Sequence, residues 1–139
     1  MSDIGVALRT KLLSVQAVSD LVGTRVYPDQ LPQGATLPAA VYHKISGVDE
    51  ADLAGIVQLQ HGRLQIDAYA STRLASDALA TAIRNAICDA SGSRGTWGSV
   101  SVSACTPAGG PRDDTQPLDD GSDEHQYISI RDYLISYHG

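Results

Sequence analysis

Four histidines, His43, His61, His125 and His138, are the natural candidates for holding a metal, and all four fall on strand-like segments or their ends. Neighbouring strands could bring two of them together with Asp67 or Asp132. Their spacing matches no zinc motif, in which short fixed intervals let a local turn present the ligands. Partly exposed strand histidines are the plainer reading. Two acidic clusters, Asp113-Asp114 and Asp119-Asp120-Gly121-Ser122-Asp123, supply the oxygens that calcium takes. They lack the position-by-position spacing of a calcium loop and its terminal glutamate, and read as solvated loop. Serines are plentiful, but there is no Gly-x-Ser-x-Gly elbow to expose one as a nucleophile. Gly92-Ser93-Arg94-Gly95 has the glycines of a phosphate cradle without its lysine or a following helix. Asp67 near Tyr69 is a polar strand face, with no second carboxylate fixed beside it. The residues therefore point to no catalytic, metal or cofactor site. Cys88 and Cys105 are too few for a disulfide framework and read as two buried, reduced thiols.

The elements that carry these residues follow from hydrophobic periodicity. Ile4, Leu8, Leu12 and Val15, with Ala7, lie at helical spacing, and Ser2 or Asp3 can cap that helix. A short turn, Val18 to Val22, stops at Gly23. Pro28, Pro32 and Pro38 lack backbone donors and make residues 28–38 an ordered loop rather than a central strand. Ala39 to Ser46 alternates as a strand, and residues 56–70 form a longer one. Its apolar phase changes from Val57 and Leu59 to Leu64, Ile66 and Ala68, so a bulge is expected at Gly62. Residues 72–89 repeat apolar pairs from Leu74/Ala75 to Ala86/Ile87, a helical stripe with Ser71 as N-cap and Gly92 as stop. Residues 91–99 read as a flexible turn, Val100, Val102 and Ala104 as a half-buried strand, and Tyr127 to Tyr137 as the last strand.

Short connections in this order predict one α+β domain over residues 1–139. Its core would be an antiparallel sheet of about four to five strands, with two helices packed on one face. The other face would carry Tyr69, Tyr133, Ile135 and Tyr137, an apolar set that suits a subunit interface. With no Phe, one Trp and one Met, the core draws on Leu, Ile, Val and Tyr, and oligomerisation would help such a small domain.

The net charge of −6 is concentrated in two places. Residues 47–55 carry −3 through Asp49, Glu50 and Asp52. Residues 107–125 carry −5 through Asp113, Asp114, Asp119, Asp120, Asp123 and Glu124 against Arg112. Both are expected to be mobile acidic loops, 47–55 and 107–124, that dock a partner or line a lumen. The rest of the chain is nearly neutral, which excludes a face of clustered Lys and Arg for gripping nucleic acid. No window reaches the length of a membrane helix, and the first residues show no secretory signal, so synthesis in a cytoplasm is expected.

In order and spacing, several short motifs resemble one family. They are Val26-Tyr27-Pro28, then Leu31-Pro32-Gln33-Gly34 with Leu37-Pro38, then Arg63-Leu64-Gln65-Ile66-Asp67-Ala68-Tyr69, and the closing Asp132-Tyr133-Leu134-Ile135-Ser136-Tyr137. The chain resembles the tail-completion (tail-terminator) proteins of long-tailed bacteriophages and prophage-derived particles. The resemblance implies a non-enzymatic virion protein, made in the host cytoplasm, that forms a hexameric ring at the head-proximal end of the tail. It further implies that the ring ends tail-tube growth and contacts the tail tube protein and a head connector or stopper. DNA would pass through without specific binding. A head-side connector or stopper is the nearest alternative. A small cytoplasmic ligand-binding domain or enzyme is the alternative from a different class.

Overall fold

The computed structural model describes residues 4–51, 57–88, 95–98, 100–117 and 125–138. The elements run α1 (Ile4–Ser14), α2 (Gln16–Val22), β1 (Val26–Pro28), β2 (Ala39–Ala51), β3 (Val57–Ala70), α3 (Arg73–Cys88), β4 (Gly95–Trp97), β5 (Val100–Pro107), β6 (Arg112–Pro117) and β7 (His125–His138). β3 and β7, each 14 residues long, pair antiparallel and form the spine of the sheet. Strand order is β1-β2-β3-β7-β5-β4, with β6 also on β7. β5 and β6 share the far edge of β7: β5 pairs Tyr133 to His138, and β6 pairs His125 to Ile130. β1 runs parallel to β2. The α+β class holds, but among the described residues the sheet is mixed, has seven strands and carries three helices, against the expected four to five antiparallel strands and two helices.

The helices cover one face and make one core. Ile4, Ala7, Leu8 and Leu12 of α1, Val18 and Val22 of α2, and Leu79, Ile83 and Ile87 of α3 close over Leu64, Ile66, Tyr133, Ile135 and Tyr137. The buried stripe of α3 is Ser76, Leu79, Ala80, Ile83, Ala86 and Ile87. Spacings of three and four keep this set on one face, whereas the repeat of four alone drifts and leaves Leu74 83% exposed. The N-cap is Thr72, whose Oγ1 accepts from the Ala75 amide at 3.1 Å, in place of Ser71. The caps expected at Ser2 or Asp3 and at Gly92 lie outside the described residues. Gly23 does end α2, at φ 61°, where a β-carbon would be strained.

Four further expectations change. The bulge is on β2 rather than at Gly62: Lys44 pairs Leu64 and Ser46 pairs Arg63, so Ile45 is the extra residue. Gly62 stays in continuous register with Ile135. β3 therefore keeps one unbroken alternation from Gln60 to Ala70, and a second register shift, between Glu50 and Ala51, falls opposite Leu59 and Val57. Residues 95–97 of the expected flexible turn form β4, because Trp97 is fully buried in the core against the helices. Within the expected acidic excursion, residues 112–117 are a strand: β7 runs past the end of β5 and offers β6 an unfilled edge. Finally, Tyr133, Ile135 and Tyr137 are core residues. Leu64 and Tyr133 are register partners, so the odd positions of β7 face the helices and cannot form an open interface.

Candidate functional site

The helix-free face of the sheet carries a connected polar chain across four strands. Arg63, Gln65, Asp67 and Tyr69 alternate with core residues Leu64, Ile66 and Ala68 along β3, so they share that face. Asp67 Oδ2 lies 3.0 Å from His43 Nε2 on β2, and Asp67 Oδ1 accepts from Gln65 at 3.0 Å. Arg112 on β6 donates to Gln65 Oε1 at 3.3 Å and to Asp132 Oδ1 on β7 at 3.0 Å. Arg63 completes the chain by donating Nε and Nη2 to Asp132 Oδ2, at 3.2 and 2.8 Å. Both carboxylates keep only 8% side-chain exposure, so their partners carry the cost of removing the charges from water. Every acceptor in the chain is occupied by a neighbour. The arrangement braces β2, β3, β6 and β7 against sliding.

This face is partly closed by the sheet's own curl and by the proline loop. Ala39, Val41 and Ile128 are buried although they lie outside the helix-side core. A cleft separates the loop at Gln30 to Leu37 from Tyr69, Gln116 and Gln126. Burial, and then the charges of Asp67 and Asp114, push the Tyr69 hydroxyl above its ordinary value and keep it protonated. Beyond the brace two large apolar side chains are exposed: Leu134, the next residue on this face of β7 after Asp132, and the bulged Ile45, each at 50%.

Of the expected interface set, Tyr69 alone stands on this face. Among the acidic residues, Asp113 pairs with Arg73 and Arg131 on the helix side, at 3.5 and 3.8 Å. Asp114 accepts the Thr115 amide at 2.8 Å and lies beside Gln116. Asp49 and Glu50 belong to the backbone of β2, opposite Gln60 and Leu59. Asp52, Asp119, Asp120, Asp123 and Glu124 lie outside the described residues. The histidines do not converge: His43 joins Asp67, His61 Nδ1 lies 2.8 Å from Ser136 Oγ, and His125 and His138 are exposed strand ends. Among the described residues no three His, Cys, Asp or Glu side chains are grouped to hold a metal. The role of Asp132 was not seen in the sequence. The signal was available, since an acid on β7 opposite an Arg-x-Gln-x-Asp alternation invites a cross-strand ion pair.

Among curated proteins nothing matches the chain. A chain in the solved virion of a native gene transfer agent particle has the same fold. It aligns with a TM-score of 0.66 over 98% of this chain and 95% of that one, at 16% identity. The family model for tail completion protein gp17 matches residues 6–108, which include β3 with Arg63, Gln65 and Asp67 of the brace. The chain belongs to the tail completion protein gp17 family and is a structural protein of a phage tail.

Proposed function

We infer that this protein forms a ring, a hexamer on the resemblance stated above, at the head-proximal end of the tail. There it ends tail-tube growth and joins the tail to the head connector, and DNA passes through it without specific binding. It carries out no catalysis. The observation that carries this reading is the family match across residues 6–108, whose Arg63-to-Tyr69 segment builds a locked and chemically saturated sheet face. A plate of this kind suits assembly rather than turnover.

A closed ring needs two different, complementary surfaces on each protomer. Two stand on opposite sides here. One is the braced face with Leu134 and Ile45 exposed. The other is a groove between α2 and α3, lined by Val15, Ala17, Leu74, Ala78 and Ala82. Deleting the gene tests the role. DNA-filled heads should accumulate beside unjoined tails of abnormal length. Joined, infectious particles made without the protein would overturn the reading. Heads that stay unjoined beside tails of normal length would instead place the ring on the head side.

A further inference from the structure

Cys88 closes α3 and Cys105 lies on β5, and the fold brings their sulfurs to 3.9 Å. Both are thiols. Cys105 is buried in the core, while Cys88 is only partly covered. The contact joins the end of a helix to a strand, and the residues between the two cysteines include β4 with its buried Trp97. A disulfide requires the sulfurs at ~2.05 Å, so the gap to close is roughly 1.9 Å, within reach of side-chain rotation.

We propose that Cys88 and Cys105 are a modification site: a reversible disulfide that staples the end of α3 to β5 after the protein leaves a reducing compartment. Thiols stay reduced in a cytoplasm and disulfides persist on released particles. A protein made in the first and kept in the second experiences both conditions. The oxidant is a low-molecular-weight disulfide. The Cys88 thiolate attacks one of its sulfurs, forming a mixed disulfide and releasing one small thiolate. Cys105 then gives up its proton and attacks Cys88 Sγ. The second small thiol leaves with that proton. Two protein thiols are oxidised by two electrons, and the small disulfide is reduced to two thiols. Order follows from access: Cys105 is buried and Cys88 only partly covered, so Cys88 meets the oxidant first, and the hydrogen bond with Cys88 and burial also push the Cys105 thiol up.

The test uses the purified full-length chain and oxidised glutathione. The intact mass should fall by two hydrogens, and both cysteines should resist alkylation after denaturation until a reductant is added. Closing a loop of this length should raise Tm by about 10 °C. Cys105→Ala should trap glutathione on Cys88. Cys88→Ala should yield neither bridge nor adduct. The proposal fails if the unaltered chain keeps a glutathione adduct on Cys88, if disulfide-linked dimers form instead, or if both cysteines remain alkylatable. It also fails as a staple if Tm does not move. The bridge is independent of the ring: a chain that oxidises as expected but never assembles would refute only the proposed function.

Discussion

Ile135→Asp should unfold the protomer, while Leu134→Asp, one residue earlier on the same strand, should leave it folded and unable to assemble. Ile135 is 2% exposed and sits in the core with Tyr133 and Tyr137. Removing a side chain of this size from a core costs about 2–5 kcal/mol. A carboxylate left there without a partner adds several kcal/mol more, or stays protonated at a similar cost. The sum is on the order of the whole stability of a small domain, roughly 5–15 kcal/mol. Leu134 is half exposed, so its replacement forfeits about 1 kcal/mol of burial. That should leave the far-UV circular dichroism unchanged and move the urea midpoint only slightly. On the proposed ring it should still abolish assembly, because a charge would replace an apolar contact in every interface. Circular dichroism with urea titration reads the first effect, and light scattering after size exclusion reads the second. A folded Ile135→Asp would refute the assignment of β7's faces. A folded Leu134→Asp that still forms rings would move the interface off this face.

Three other outcomes follow from the same geometry. Asp132→Ala leaves Arg63 and Arg112 without their shared acceptor, and both are part-exposed, so the expected loss is about 1–2 kcal/mol, read as a lower urea midpoint. Burial pushes both the Tyr133 and Tyr69 hydroxyls up, so the folded state holds these protons more tightly than the unfolded chain does. Stability from this source is present below pH ~10 and is lost as pH rises beyond it; Tyr69→Phe should flatten that alkaline decline in urea midpoints taken between about pH 9 and 11. The isolated protein should not bind duplex DNA at physiological salt, and charge reversal at Asp119 and Asp120 should slow DNA release from particles; tight, salt-sensitive binding by the unaltered protein would restore a nucleic-acid role.

The elements legible in the sequence were those whose period is strong and local. α1 and α3 declared themselves through spacings of three and four, and β3 through alternation from Leu64 to Ala68. Partner choice was not local. β7 is apolar on both faces, so nothing in its own residues says that Tyr133, Ile135 and Tyr137 go inward; α3 decides that by lying over them. β6 has no apolar signal at all, being Arg-Asp-Asp-Thr-Gln-Pro, and is a strand because β7 has edge left to pair. Trp97 stands among glycines and serines, and its burial outweighs the flexibility of its neighbours. The motif residues Arg63, Gln65 and Asp67 were visible as a pattern. Their meaning depended on Asp132, 69 residues from Arg63 in the chain.

Charge is where sequence and fold diverge most. The six acids between residues 107 and 125 look equivalent when only composition is read. The fold separates them. Asp113 is held between Arg73 and Arg131 on the helix side. Asp114 spends its oxygens on the Thr115 amide and Gln116. A negative rim on the proposed ring would therefore depend on Asp119, Asp120, Asp123 and Glu124, or on the acids of 47–55. Repulsion from such groups decays over ~8 Å at physiological salt, so it reaches DNA only near the wall. Reversing Asp113 would instead place a third cation beside Arg73 and Arg131 and loosen β6 from α3. Any change in DNA release would then report a damaged edge strand. Reversal at Asp119 and Asp120 changes neither partner of that contact, so a slower DNA release would report their own charge facing the DNA, and an unchanged release would place that charge away from it.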